Sequence, residues 1–487
     1  MEVAFDHEKY LKIQKEKIEE RIKRFDNKLY LEFGGKLFDD MHASRVLPGF
    51  KPDAKIELLK QFKNDLEVIF CINANDIEKN KIRADYGISY EQDLLRLIEK
   101  MQEMDILVSG VAINMYTGQK GVEKLEKLLQ KKNIKAYLFE PIIGYPNDIE
   151  KIFSKEGFGK NTYIKTTKKL VVVTAPGPNS GKLATCLSQM YNENQNGVRA
   201  GYAKYETFPV WNMGLLHPVN VAYEASTADL GDINMIDPFH MQEYNIEAVN
   251  YNRDISTFPI LKNMLNSIMG ENIYNSPTDM GVNMIKGCIV NDEIAKEAGC
   301  QEVIRRYYNT ICDMKKGVST QEVVDRINGL MTKLNINKED RSIVKPAICK
   351  AEEKKTNIVA IQLKNGKVIT GKESKLLSAS SAMLINTLKE LAGLPDEEYL
   401  LSPEVLEGIF KTKQKISYRK NYYLNIQEVL ITLSICSSNN RSVEKAMEEL
   451  ENLKGLEAHS SYIVTSEENN VMKNLGIRLT CEPKFDN

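Results

Sequence analysis

The sequence predicts an α/β protein with a parallel-sheet, Rossmann-like or P-loop-like N-terminal region, a helical middle domain and a smaller C-terminal α/β domain. Three observations support this prediction. Short apolar runs alternate with amphipathic helical patterns in the N-terminal part, helical patterns dominate the middle, and a hairpin signal at Asn365-Gly366 opens the last part. The length of 487 residues allows for about three domains. We therefore predict domains at 1–245, 246–345 and 346–487.

The N-terminal region begins with a helical pattern, in which Tyr10, Ile13 and Ile18 recur among Lys and Glu. Five short runs of β-branched and aromatic residues follow, each typical of a buried strand. They are LYLEF at 29–33, LEVIFCINA at 66–74, DILVSGVAIN at 105–114, KAYLFEPI at 135–142 and KLVVVTA at 169–175. Amphipathic helical patterns such as SYEQDLLRLIEKMQEM and GVEKLEKLLQKKN lie between them. This alternation predicts a parallel sheet that is covered on both faces and binds ligands at the carboxyl ends of its strands.

The remaining elements follow from the same patterns. DEIAKEAGCQEVIRRYYNTICDMKK and TQEVVDRINGLMTKL are helical patterns of the middle domain. In the C-terminal domain, TNIVAIQLKNGKVITG predicts a hairpin and SASSAMLINTLKELAG a helix. LNIQEVLITLSI is interpreted as a strand and RSVEKAMEELENLK as a helix, so this domain is also expected to be α/β.

The charges of the chain nearly cancel, because 66 Lys and Arg side chains face 67 Asp and Glu side chains. General nucleic-acid binding is disfavoured, since it depends largely on a basic excess that neutralises phosphates. No stretch is long and apolar enough for a membrane span, and the charged N-terminus does not resemble a signal peptide, so a cytoplasmic location is expected. The eight cysteines form no CxxC pair, so no zinc is expected.

The most informative segment is KKLVVVTAPGPNSGKLATCLSQMY, a predicted strand, a Gly- and Pro-rich turn, and a helix. Backbone N–H groups in such a turn, the helix N-terminus and a lysine together suit a phosphate. The predicted phosphate-binding residues are Gly177, Asn179, Ser180, Gly181 and Lys182. The turn departs from the P-loop pattern at Pro176, which replaces glycine, and at Leu183, which replaces the hydroxyl residue that usually holds magnesium. A purely structural turn is the alternative.

An acidic segment, AYEASTADLGDINMIDPFHMQEY, is a candidate for metal binding and acid–base chemistry. Neighbouring carboxylates are costly to bury unless they bind a cation or share protons, and histidine exchanges protons near neutral pH. We predict Asp229, Asp232 and Asp237 as metal ligands, and Asp229, Asp232 and His240 as catalytic residues. The alternative is that these aspartates form turns or helix caps.

A second group, EFGGKLFDDMHASRVLPGF, follows the first predicted strand. Lysine and arginine suit an anionic substrate, and histidine suits a general acid or base. The predicted substrate-binding residues are Gly35, Lys36, Asp39, Asp40 and Arg45, and His42 is predicted to be catalytic. A surface loop with ordinary salt bridges is the alternative.

Weaker candidates lie elsewhere along the chain. Asn73, Asn75, Asp76, Arg83 and Asp85 follow the second strand and are expected mainly as helix caps and turns. Lys204, Glu206 and Asn220 are expected either in the pocket of the acidic segment or in solvated loops. Thr278, Asp279 and Asn283 are further polar candidates. Arg305 and Arg306 are expected to be exposed, with a phosphate contact by one of them as the alternative. The C-terminal domain lacks the H-x-E and P-C-x-x-C motifs of a zinc deaminase and the G-x-S-x-G elbow of a serine hydrolase.

Several segments together resemble the bacterial family catalogued as domain of unknown function eighteen-forty-six. They include KLYLEFGGKLFDDMHASRVLPGF, FCINANDIEKNKIRADYGI, PGPNSGKLATCLSQMY, GYAKYETFPVWN, HPVNVAYEASTADLGDINMIDPFH, SPTDMGVNM and QEVIRRYY. The resemblance covers nearly the whole chain and implies a multi-domain α/β protein with a helical insertion and a separate C-terminal α/β subdomain, but it implies no reaction. The Gly-Lys segment is also similar to the loop of formate–tetrahydrofolate ligase, an analogy over about ten residues.

These observations favour a cytoplasmic enzyme that binds a nucleotide or another phosphorylated small molecule. The expected reaction class is ATP-dependent ligation or phosphoryl transfer, with ATP or another nucleotide and magnesium as cofactors. Two alternatives stay open: a phosphate-ester or sugar-phosphate enzyme that works without ATP, and a non-catalytic metabolite-binding or assembly protein. The expected partner is a small phosphorylated or anionic ligand, without nucleic acid or membrane, and a homo-oligomer is left open.

Overall fold

The computed structural model describes residues 3–38, 40–83, 87–416 and 422–485. By its internal contacts the chain divides into two compact units, Glu2–Gly299 and Cys300–Asn487. Each unit has its own β-sheet. The three-domain division at 245 and 345 stays a prediction.

Within its described residues the first unit contains nine strands, of which the first five lie close to the predicted positions and the other four were not predicted. They are β1 (Leu29–Phe33), β2 (Leu66–Asn73), β3 (Leu107–Asn114), β4 (Ala136–Phe139), β5 (Leu170–Thr174), β6 (Gly201–Tyr205), β7 (Asn234–Ile236), β8 (Val249–Tyr251) and β9 (Gly281–Val282). Seven of them form one sheet in the order β4-β3-β2-β5-β1-β6-β9, and β7 pairs with β8 separately. Every neighbouring pair in the seven-stranded sheet is parallel, which confirms the predicted parallel α/β fold.

Helices connect these strands. They are α1 (His7–Arg24), α2 (Met41–Val46), α3 (Ala54–Lys60), α4 (Ala74–Glu78), α5 (Tyr90–Glu103), α6 (Lys120–Lys131), α7 (Ile149–Ile152), α8 (Lys182–Gln195), α9 (Pro218–Ser226), α10 (Pro238–Tyr244), α11 (Asn252–Met269), α12 (Pro277–Met280) and α13 (Asp292–Lys315), which ends in the second unit. The predicted helices at the N-terminus and between the strands are confirmed. In α5, a capping box between Ser89 and Gln92 fixes the first turn.

The central strands are buried because helices cover both faces of the sheet. All five residues of β5 are buried, and so are the first seven of β2. This burial explains the continuous apolar runs in the sequence, where a strand with one solvated face would alternate. The carboxyl ends of β1, β2, β3, β5 and β6 lie at one edge of the sheet, since these strands are parallel. The loops at this edge hold most of the polar residues discussed below.

The second unit contains a four-stranded mixed sheet in the order β11-β10-β12-β13. Its strands are β10 (Ile358–Gln362), β11 (Val368–Lys372), β12 (Glu457–Ser460) and β13 (Arg478–Cys481). Its helices after α13 are α14 (Gln321–Leu334), α15 (Val344–Lys354), α16 (Ala379–Leu391), α17 (Pro403–Ile416), α18 (Ile426–Ser437), α19 (Arg441–Glu448) and α20 (Ser466–Asn474). The hairpin predicted at Asn365-Gly366 joins β10 to β11, and Gly366 adopts φ +85°, which favours glycine.

One predicted element is wrong. The segment LNIQEVLITLSI forms helix α18 and not a strand. Asn425 and Glu428 form a capping box at its N-terminus, and the buried residues Ile426, Val429 and Leu433 recur at helical spacing. The apolar run is too short for its periodicity to distinguish a strand from a helix. The capping box at Asn425 and Glu428 is the feature that indicates a helix.

No helix in the described ranges combines the length and apolar character that a bilayer crossing requires.

Candidate functional site

The turn after β5 links the central strand of the large sheet to α8. We call residues 175–182 the Gly-Lys turn. Asn179 and Gly181 adopt positive φ angles of 56° and 85°, and α8 begins at Lys182. The turn therefore passes through two left-handed residues directly before a helix N-terminus.

Two asparagines orient the peptide groups of this turn. Asn73, the last residue of β2, donates from Nδ2 to the carbonyl of Asn179 at 3.2 Å, and Asn114, the last of β3, donates to the carbonyl of Ser180 at 2.9 Å. In a trans peptide the N–H points away from its carbonyl, so the N–H groups of Ser180 and Gly181 face away from the asparagines. Among the described residues, these N–H groups and that of Lys182 have no hydrogen-bond acceptor.

The first half of the turn is held by the loop before α5. Arg83 donates to the carbonyl of Pro176 at 2.9 Å and pairs with the buried Asp93 at 2.5 Å. A Cβ atom on Gly177 would lie 2.5 Å from the Tyr90 ring. A side chain at 177 would therefore require the Tyr90 ring or the turn to move. Sequence reasoning missed Tyr90, which has no motif of its own.

The Lys182 ammonium lies at the N-terminus of α8 and is half-buried. It has no hydrogen-bond or ion-pair partner in the ranges that the structure describes. Burial raises the pKa of the Cys71 thiol to about 12, while hydrogen bonding and the charge of Lys182 oppose the shift. The next hydroxyl, that of Thr185, is buried beside Asn114 and Cys71. The turn thus presents three N–H donors and one ammonium that has no counter-charge among the residues that the structure describes.

A second polar group lies at the carboxyl ends of β1 and β6. The Glu206 cluster consists of Glu32, Lys204, Glu206 and Asp254. Glu32 and Lys204 are neighbours in register on the two strands. Lys204 pairs with Glu206 at 2.5 Å and with Asp254 of α11, and Tyr202 donates to Glu32 at 2.8 Å. Two carboxylates therefore pair with one ammonium, and the third, Glu32, accepts from the Tyr202 hydroxyl.

Burial and charge shift the pKa values in this cluster. Burial raises the pKa of Glu206 to about 7; Lys204 opposes this shift, and Asp254 and Glu32 reinforce it. Burial acts to lower the pKa of Lys204, but Asp254, Glu206 and Glu32 together raise it above its ordinary value. A carboxyl group with a pKa near 7 suits acid–base chemistry, and Glu206 lies at the carboxyl edge of the sheet, where parallel α/β proteins bind ligands. Sequence reasoning missed Glu32 and Asp254; the one available signal was a charged residue inside the apolar run LYLEF.

The loop after β4 reaches the same edge. Tyr145 is exposed at 37%, but partial removal of its hydroxyl from water, followed by the charge of Glu32, raises its pKa to about 12. Tyr145 therefore lies near Glu32, although β4 is four strands away from β1 in the sheet. This loop crosses the edge from which the Gly-Lys turn also emerges.

The second predicted group is organised by a residue that the sequence analysis missed, the buried Lys55. Its ammonium donates to the carbonyls of Gly34 and Lys36 at 3.1 and 2.9 Å and pairs with Asp40 at 3.2 Å. Burial acts to raise the pKa of Asp40, but Lys55 and His42 hold it below its ordinary value. Asp40 also caps α2, so its contacts are those of a structural residue. Asp39 lies outside the described residues.

The other residues of this group lie around α2. His42 packs edge-on against the rings of Phe208 and Tyr223, with centroids 5.6 and 5.4 Å away. Lys36 and Gly35 are exposed, and Arg45 is half-buried. Gly35 adopts φ +66° and faces the Lys55 ammonium. The structure thus brings His42 to the end of β6 inside an aromatic group.

The acidic segment is dispersed in the structure. Asp229 is exposed on a short 3₁₀ turn, and Asp232 is buried beside Arg253 at 3.4 Å. Asp237 is fully buried, caps α10 and accepts hydrogen bonds from Thr278. His240 bonds to Ser276 at 2.9 Å. No group of three or more His, Cys, Asp or Glu that suits a metal ion occurs in the described part of the chain, so the structure does not bring the three aspartates together.

Most of the weaker candidates have structural contacts. Asn220 bonds to the backbone of Val210, and Asp279 caps α12. Arg305 is buried and pairs with Glu302 within the second unit, so the expectation that it is exposed is wrong. Asp85 lies outside the described residues.

Comparison with known proteins identifies the family. The models for the N-terminal and C-terminal parts of the domain of unknown function DUF1846 match residues 3–335 and 339–487. The UPF0371 protein of Streptococcus thermophilus is 52% identical over 482 residues, which cover 99% of this chain and 98% of that protein. The UPF0371 protein of Streptococcus pneumoniae is 51% identical over 482 residues, which also cover 99% of this chain and 98% of that protein. The chain therefore belongs to the DUF1846 family.

Proposed function

We propose that the protein is an enzyme that binds a phosphorylated small molecule at the Gly-Lys turn, with ATP or another nucleotide as the ligand to test first. The observation that supports this proposal is a set of donors that have no partner within the described ranges, namely the N–H groups of Ser180, Gly181 and Lys182 and the Lys182 ammonium. Several donors grouped at a helix N-terminus suit a phosphate, which accepts several hydrogen bonds and neutralises the ammonium.

A purely structural turn fits this arrangement less well. Unpaired donors in a partly buried position cost free energy, about 1–3 kcal/mol for a group that is fully desolvated. The asparagines Asn73 and Asn114 direct the carbonyls of the turn inward and leave the N–H groups outward. A turn that only connects two elements gains nothing from this orientation, whereas a phosphate ligand would satisfy it.

We propose that magnesium binds together with the nucleotide. Leu183 offers no hydroxyl to the metal, and the described residues contain no group of three or more His, Cys, Asp or Glu that suits a metal ion. The metal would therefore be held mainly by the phosphates and water. ATP-dependent ligation or phosphoryl transfer in the cytoplasm is the proposed reaction class, since both reactions depend on positioning and charge stabilisation.

Thermal unfolding in the presence of ligands tests the proposal. The full chain is melted with ATP, ADP, GTP, a sugar phosphate or no ligand, each with and without magnesium. A ligand at 100 times its dissociation constant adds about 2.7 kcal/mol of stability. We expect at least one phosphorylated ligand to raise the melting temperature of the wild type and not that of Lys182→Ala.

Lys124→Ala provides the matched control, since Lys124 is exposed on α6. An equal shift in Lys182→Ala, or no shift with any ligand, contradicts the proposal. A shift with the sugar phosphate alone would exclude ATP but keep the phosphate site.

A further inference from the structure

The Glu206 cluster contains more negative charge than its own residues neutralise. Glu32, Glu206 and Asp254 supply three carboxylates, and Lys204 supplies one ammonium in contact with two of them. The side chains of Lys204, Glu206 and Asp254 are each less than one-quarter exposed, at 24%, 17% and 20%. An excess of partly buried carboxylate charge is relieved by a proton or by a cationic ligand, is unchanged by a neutral ligand, and is increased by an anionic ligand.

The cluster shares one face and one edge of the sheet with the Gly-Lys turn. Glu32 is in register with Val173 of β5, and the turn follows directly after β5. The charges of Glu32 and Lys182 both act on the buried thiols of Cys71 and Cys186. Only β1 lies between β5 and β6. A ligand phosphate at the turn would therefore have the Glu206 cluster on the same side of the sheet.

We infer that Glu206 accepts a proton from the second substrate of this site, and that this substrate reacts through an O–H or N–H group. The inference rests on the proposed function. The oxygen or nitrogen of the acceptor forms a bond to the terminal phosphorus of ATP, and its proton passes to the Glu206 carboxylate. The bond from that phosphorus to the bridging oxygen breaks, and its electron pair leaves with ADP. Glu206 then returns the proton to water.

Charge and geometry support this role. A general base works best when its pKa is close to the working pH, and burial raises the pKa of Glu206 to about 7. Lys204 contacts Glu206 at 2.5 Å and fixes the carboxylate at the end of β6. The excess of carboxylate charge disfavours an anionic second substrate. The acceptor class is therefore neutral or cationic. The sequence instead led us to expect an anionic substrate, bound by Lys36 and Arg45.

The test measures ADP formation from ATP and magnesium by the full chain, with water alone, glycerol, ethanolamine or acetate as acceptor. We expect turnover with water, glycerol or ethanolamine that rises with pH and levels off above about pH 7, because Glu206 must be ionised to accept a proton. Glu206→Gln should lower the rate at least ~100-fold with ATP binding unchanged. Glu206→Asp, which keeps a carboxylate, should retain part of the rate and a pH-dependent profile.

Glu123→Gln, an exposed change on α6, is the control. The inference is overturned if Glu206→Gln keeps the wild-type rate and pH profile, if acetate alone supports turnover, or if ATP binds without turnover with any acceptor. Absence of ATP binding would instead exclude ATP as the ligand of the proposed phosphate site, and absence of binding by every phosphorylated ligand would contradict the proposed function. A loss of ATP binding in both Glu206 variants, at an unchanged melting temperature, would assign Glu206 to ligand binding and overturn the proton-transfer role.

Discussion

Gly177 lies so close to the Tyr90 ring that a Cβ atom at 177 fits only if the ring or the turn moves. A Cβ atom there would lie 2.5 Å from Cε2 and 2.6 Å from Cζ of Tyr90, well inside van der Waals contact. Gly177→Ala should therefore displace the Gly-Lys turn and weaken the binding of the phosphorylated ligand by about tenfold, equivalent to about 1.4 kcal/mol. Titration calorimetry with the ligand that stabilises the wild type measures this change.

Gly408→Ala is the matched control, because a Cβ at 408 meets no atom within 4 Å. Adding Tyr90→Ala to Gly177→Ala makes room for the new methyl group, so the double variant should regain part of the affinity. Wild-type affinity in Gly177→Ala would show that the Tyr90 contact does not set the shape of the turn.

Asp237 acts as a structural residue at the start of α10. Its carboxylate accepts hydrogen bonds from the N–H groups of Phe239, His240 and Thr278 and from the Thr278 hydroxyl. Asp237→Ala leaves these buried donors unpaired and should lower the free energy of unfolding by about 2–4 kcal/mol. Urea unfolding measures the loss. The exposed Asp229→Ala should stay within about 0.5 kcal/mol of the wild type, and an equal loss in both variants would contradict this assignment.

At the scale of elements, a cap decides the conformation of α18. The Asn425 side chain accepts from the Glu428 N–H at 2.9 Å, and Glu428 accepts from the Asn425 N–H at 2.8 Å. Asn425→Ala should cost about 1 kcal/mol of stability, measured by urea unfolding, because an N-terminal N–H loses its partner. Gln427→Ala, an exposed change in the first turn, controls for helix propensity. Equal effects of the two substitutions would argue against the cap.

The large sheet was predictable because each strand is a contiguous apolar run. The strands β2 and β5 are buried on both faces, and a strand buried in this way is visible in the sequence as a continuous apolar run. The Gly-Lys turn was predictable as a segment for the same reason, since its residues are neighbours in the chain. The asparagines that orient it were not identified in that role, because Asn73 and Asn114 reach the turn only through strand pairing.

The Glu206 cluster could not be predicted as a unit. Glu32, Lys204 and Asp254 are far apart in the sequence, and the register of β1 with β6 brings the first two together. The opposite error affected Asp229, Asp232 and Asp237, which are close in the sequence but separate into an exposed turn, an ion pair and a helix cap. Proximity along the chain was therefore a poor guide to a shared site wherever helices intervene.

At the scale of the whole molecule, acid should destabilise the second unit through Glu457. Burial acts to raise the pKa of this carboxyl group, but Arg341, Arg305 and Arg478 lower it to about 2. A folded-state pKa below the ordinary value of 4.5 stabilises the fold above pH 4.5, and this contribution is lost as the pH falls towards 2. It amounts to roughly 3 kcal/mol at most.

Glu457→Gln should therefore be less stable than the wild type at neutral pH, and its stability should depend less on pH between about 4.5 and 2. Urea unfolding of the full chain at a series of pH values measures both effects. Glu352→Gln, an exposed change on α15, should follow the wild-type curve. Parallel curves for Glu457→Gln and the wild type would contradict the role of Glu457.

The position of β5 has a consequence for how the first unit assembles. β5 hydrogen-bonds to β2 on one side and β1 on the other, although both of those strands precede it in the chain. During synthesis, β2, β3 and β4 emerge before the strand that joins them to β1. The Gly-Lys turn follows that joining strand, so it reaches its final shape only when the two halves of the sheet have met. A chain that binds its ligand has therefore completed its central sheet, and ligand binding reports on folding.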